Sequence, residues 1–145
     1  MSVQSGAVTM AGGRGTRVAT VAATVLAAEV LWVLLDVIVG IDLRSPAFEG
    51  VGRTPDIGPL EVALASGAAS LAAWGLLAAL ERMVRRARTF WSAAAVLAFV
   101  GSLGGPLSGT GITAANRTGL VLLHLAVAAL LIPALYRTSP APASH

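Results

Sequence analysis

The chain contains no cysteine and no lysine, and charged residues make up only 12% of its 145 positions. Without cysteine there are no disulfides, no thiol redox chemistry and no thiolate metal centre. A soluble domain carries about 25% charged residues. The shortage of charge, set against 56% hydrophobic residues and a mean hydropathy of +0.80, places the chain in the membrane class. Histidine is scarce too, and the single imidazole within an apolar run, His124, has no partners at a recognised zinc or haem spacing. No metal ligand and no cofactor is therefore expected. All ten basic residues are arginine, which raises the pI to about 11.1 on a net charge of only +3. The arginines cluster at the ends of apolar runs, so they do not point to a nucleic-acid partner.

What the chain has in abundance is apolar length. The bilayer core is about 30 Å thick, and a helix rising 1.5 Å per residue crosses it in roughly 20 residues. Four runs meet that requirement, at about 18–40, 58–80, 89–107 and 114–136. The first, VATVAATVLAAEVLWVLLDVIVG, outlasts the apolar core of a cleaved signal peptide and reads as a retained span. The spacing predicts an all-α membrane protein, a four-transmembrane-helix bundle running up-down-up-down, as one domain over 17–137. Residues 1–16 and 138–145 are Gly/Ser- or Pro/Ser-rich and are expected to be unstructured tails.

The connections differ in character. Residues 41–57 hold Pro46, Pro55 and five charged residues, and either cap the bundle or form a plain solvated loop. Pro59 suits the first turn of the second helix, and Glu61 suits its positive end. Ala63, Gly67, Ser70 and Trp74 share one face, small enough for close approach of a neighbouring helix. Gly101 and Gly105 make a second small-residue pair, Pro106 ends or bends the third helix, and Thr113 is placed to cap the fourth.

Arginine distribution sets the expected orientation. Arg14, Arg17, Arg82, Arg85, Arg86, Arg88 and Arg137 fall on one side, and Arg44, Arg53 and Arg117 on the other. An arginine excess marks the cytoplasmic flank, so both termini are expected in the cytoplasm of a multi-pass plasma-membrane protein. Trp91 and Tyr136 would then be interfacial rings. The ERMVRRAR connection can meet anionic headgroups, although topology alone accounts for it.

The ionisable groups within the spans are few. Glu29 and Asp36 lie two helical turns apart, with Trp32 and Val33 between them, and this stripe is expected to face the bundle interior. A carboxylate near mid-membrane costs at least about 2.5–3.5 kcal/mol, which disfavours the lipid side. Alternatively, Asp36 belongs to the outer interface and only Glu29 is buried. By depth, Glu29, Asp36, Ser102, His124, Arg117 and Glu61 all fall at or outside the midplane. They form a candidate polar pocket in the outer half, floored by Glu29 and His124, with Arg117 near the mouth and paired to Asp36 or Glu61. His124 reads first as a hydrogen-bonded packing residue and second as a proton relay.

The end of the second span, AAWGLLAALER, the turn SLGGPLSG and the fourth span LVLLHLAVAALLIPAL resemble a family of small four-helix bacterial integral membrane proteins of unknown function. The resemblance covers residues 14–137 and rests most on Ser102, Leu103, Pro106, Leu123, His124 and Leu125. It implies membrane location and topology, and no catalytic residue.

These features lead to a non-enzymatic membrane protein, either an accessory or interaction subunit or a binder of a small lipophilic molecule. The bilayer is its partner, with a homo-oligomer or a larger membrane complex in prospect. The alternative is an oligomeric proton-coupled small-solute transporter using Glu29, Asp36 and His124. An intramembrane enzyme using His124 and Glu29 as acid and base lacks a nucleophile or metal set.

Overall fold

In an apolar medium every backbone N–H and C=O must be satisfied within the chain, and long Ala/Leu/Val runs achieve this as helices. The computed structural model describes residues 4–47 and 53–139, with side chains described from residue 13 onward. Its helices are α1 (Gln4–Trp32), continued by a π-helical turn Val33–Ile38, then α2 (Pro59–Met83), α3 (Ala87–Ser102), the single turn α4 (Gly104–Ser108) and α5 (Ala114–Thr138). Four stretches are long and apolar enough to cross a membrane: Gly13–Ile38, Pro59–Met83, Ala87–Ser108 and Ala114–Thr138. The molecule is an all-α, up-down-up-down bundle of four membrane-length helices.

Local chemistry sets the helix ends. The Glu61 carboxylate accepts the Gly58 amide at 3.0 Å, closing the start of α2 around Pro59. Thr113 Oγ1 accepts the Asn116 amide at 3.1 Å and caps α5. The third span breaks at Leu103, and Gly104–Gly105–Pro106 starts the separate turn α4. At the amino end, helix is already present at Gln4 where an unstructured tail to Thr16 was expected.

The four long helices pack as a ring, α1 against α2 and α5, and α3 against α2 and α5. Close approach of α1 and α2 follows from small residues: Thr24, Ser66 and Ser70 are buried, and Gly67 faces Val25. Two apolar clusters hold the ends. One joins Leu35 and Leu43 to Leu120 and Leu123, and the other joins Leu77 and Trp91 to Leu131 and Leu135. Trp91 is therefore not an interfacial ring. It is 1% exposed and donates its indole N–H to the Ala73 carbonyl at 2.9 Å. Position 91 shares a face with Ala87 and Ala95, which turns inward onto α2 and α5. Tyr136 is exposed, with the Arg88 guanidinium 3.5 Å above its ring.

The loop after the first span is a cap over the bundle. Leu43, 1% exposed, plugs the first cluster. Ser45 N–H donates to Pro55 O at 2.9 Å, Ile57 N–H to Leu43 O at 2.8 Å, and Asn116 Nδ2 to Arg44 O at 3.1 Å. Ala47 pairs with Thr110, and Arg44 with Asp56. Asp42 and Asp56 flank Arg44 and hold its pKa above the ordinary arginine value, Asp42 contributing most through its hydrogen bond. Gly40 turns the chain into this cap at φ +77°, a conformation that favours glycine.

Candidate functional site

Alanines at facing positions shape the site. Ala65, Ala69 and Ala73 recur at four-residue steps on α2, opposite Ala95 and Ala98 on α3 and Ala128 on α5. Methyl groups cannot fill the space between three helices, and a cavity of about 720 Å³ remains between α2, α3 and α5. On α3 its lining runs from Trp91 to Ser102, a rise of about 17 Å along the helix.

The two ends of the cavity differ. Toward the termini the lining is Ala73, Trp91, Leu131 and Ile132. Toward the loops it gathers Ser45, Asp56, Glu61, Ser66, Ser102 and His124. His124 Nδ1 lies 2.7 Å from the Leu120 carbonyl. A carbonyl can only accept, so Nδ1 carries a proton, and whenever the ring is neutral Nε2 is its unprotonated, accepting nitrogen. Ser66 Oγ donates to Val62 O at 2.7 Å, and Ser102 Oγ to Phe99 O at 2.7 Å.

Of the six residues expected to form a polar pocket, three line this cavity: Ser102, His124 and Glu61. Glu29, Asp36 and Arg117 do not. Arg117 Nη1 donates to Pro106 O at 2.7 Å and also to Leu107 O, while Nη2 donates to Gly109 O at 3.0 Å. It pairs with neither Asp36 nor Glu61. The end of α4 at Ser108 leaves these carbonyls without helical partners, and the first turn of α5 brings a guanidinium to them. Asp36 Oδ1 accepts the Leu43 amide at 3.1 Å and anchors the cap.

The expected inward stripe does not hold as a unit. Val33 is 40% exposed, and Trp32 donates its indole N–H to Ile57 O at 2.8 Å. The π-helical turn beginning at Val33 changes the residues per turn, so the seven-residue register from Glu29 to Asp36 is lost. Glu29 is half-buried, with Oε1 enclosed and without a hydrogen-bond partner. No hydrogen bond or ion pair joins Glu29 to His124 among the described residues, so Glu29 does not floor a shared pocket with it.

One polar cluster was not legible as such. At the termini end, Arg17 donates to both Glu81 carboxylate oxygens at 3.1 and 2.6 Å, and to Thr138 Oγ1 at 3.1 Å and Thr138 O at 3.2 Å. Ser139 Oγ adds a bond to Glu81 Oε1 at 2.9 Å. This knot ties α1, α2 and the end of α5 together. Its signal in the sequence is Glu81, the single acid beside a run of arginines. Among the described residues no group of three or more His, Asp or Glu is placed to hold a metal ion.

A family model described as a family of unknown function (DUF6069) matches residues 8–141. No curated protein and no solved structure matches the chain.

Proposed function

The chain belongs to this family of unknown function, and we propose that it is a non-enzymatic multi-pass membrane protein that holds a small lipophilic ligand between α2, α3 and α5. The observation that carries this reading is the cavity. Its volume of about 720 Å³ falls within the 300–1,000 Å³ typical of small-molecule sites. Apolar walls with a few polar groups gathered at one end are also what such sites present. Both termini are cytoplasmic in this reading, because seven of the ten arginines flank that end of the bundle. The cavity's polar end then lies toward the outer leaflet.

Proton-coupled transport draws less support. Asp36 is tied to the Leu43 amide, and no bond links Glu29 to His124. An E29Q variant in proteoliposomes tests that alternative: proton uptake that falls with the substitution would favour it over the present reading.

Native mass spectrometry of the purified protein tests the binding reading. The expected result is a retained lipophilic adduct that A69F, which fills the cavity between α2 and α3, releases. A protein carrying no adduct, or one that A69F leaves unchanged, overturns it.

A further inference from the structure

We propose that the cavity selects a non-anionic amphiphile whose head donates hydrogen bonds, a hydroxyl or an amine on an apolar body, with the head at the loop end. The inference rests on the reading of the cavity as a ligand site and says what that ligand must carry.

The argument comes from a count of donors. Side chains lining the cavity include four groups able to donate besides Ser45: the Trp91 indole, the Ser66 and Ser102 hydroxyls and the His124 Nδ1–H. Each already donates within the protein, to Ala73 O, Val62 O, Phe99 O and Leu120 O respectively. A hydroxyl that has given its proton away still offers lone pairs, and neutral imidazole with Nδ1–H offers Nε2 as an acceptor. His124 Nε2 has no protein partner and is not among the enclosed unpaired atoms. Glu61 and Asp56 add carboxylates, which only accept when ionised. Ser45 alone keeps a hydroxyl free to act in either sense.

Of the two lining carboxylates, Asp56 is paired with Arg44, and Glu61 has no cation partner among the described residues. Arg117 is spent on the carbonyls of Pro106, Leu107 and Gly109, and Arg44 on Asp42 and Asp56. A carboxylate or phosphate head would face the unpaired Glu61 carboxylate, meet no free cation among the lining side chains, and have the Ser45 hydroxyl as the one side-chain donor left to it. A hydroxyl or amine head instead meets acceptors at Nε2, Ser102 Oγ and Ser66 Oγ. The apolar end at Trp91 and Ile132 takes the tail, and about 17 Å of lined length suits a chain of about a dozen carbons.

The test uses three probes with the same tail: dodecanol, dodecylamine and dodecanoate, each titrated against the full-length protein and read by native mass spectrometry, with A69F as the site control. Dodecanol and dodecylamine are expected to form saturable adducts that A69F abolishes, with dodecanoate at least about tenfold weaker. Dodecanol has one proton to donate, so whichever of H124L and S102A removes its acceptor is expected to weaken it about fivefold, the worth of one hydrogen bond. Dodecanoate binding as well as dodecanol overturns the inference and leaves the ligand-site reading standing. So does dodecanol binding that neither H124L nor S102A alters. If no probe forms a saturable, A69F-sensitive adduct, the ligand-site reading falls and the inference with it.

Discussion

Removing Arg17 should destabilise the bundle far more than its place near the amino terminus suggests. Its side chain is 11% exposed and that of Glu81 is 21% exposed. Arg17 makes a two-pronged ion pair with Glu81 and two further bonds to Thr138. An R17M variant keeps the apolar stem but leaves Glu81 with one neutral donor, Ser139 Oγ. Breaking a buried pair by deleting one partner costs about 3–5 kcal/mol. Glu81 retains some access to water, which lowers the expected loss to about 2–3 kcal/mol. The double variant R17M/E81L removes both charges and should recover most of this, to within about 1 kcal/mol of wild type, because an apolar pair replaces a desolvated ionic one at little net cost. The assay is reversible unfolding by SDS titration, followed by tryptophan fluorescence. An R17M loss below about 0.5 kcal/mol, or a double variant no more stable than R17M, would refute the reasoning.

Three further outcomes follow from the same structure. G109A should cost about 1–3 kcal/mol in that titration, because a methyl group there would strike the Pro46 ring and lie 2.9 Å from the Gly105 carbonyl. T113A should lose about 0.5–2 kcal/mol and raise amide exchange at Asn116, whose N–H would lose its cap. Because the chain has no cysteine, single cysteines at 53 and 85 report orientation with an impermeant thiol reagent on intact cells. Labelling is expected at R53C and not at R85C, and the reverse pattern would overturn the assigned topology.

The four spans were legible because length and apolar content alone decide whether a helix can cross a bilayer. The Thr113 cap was legible because a capping side chain acts within three residues of its target, while Glu61 was legible as an acid at the positive end of α2 and not as the acceptor of the Gly58 amide. Azimuth was less so. Depth along a helix places Glu29 and His124 near one level, but which way each side chain points depends on neighbours far away in the chain. A π-helical turn also breaks the register on which the Glu29–Asp36 stripe relied. Arg117 illustrates a second limit. Its carbonyl partners are free only because the turn α4 ends at Ser108, and the sequence around that stop does not say which side chain will satisfy them. The alanines of the cavity stood in the sequence as helix-compatible small residues. Their meaning as empty volume appears only when α2, α3 and α5 are set face to face.

The claim on which the account turns is that this volume receives an apolar chain from the loop end, and Trp91 at the far end can report it. Tryptophan emission is measured while the protein is titrated with 12-bromododecanol, whose terminal bromine quenches an adjacent indole. The account predicts saturable quenching that W91F and A69F both remove. Quenching that rises linearly with probe in the bilayer, identical in wild type and A69F, would contradict it.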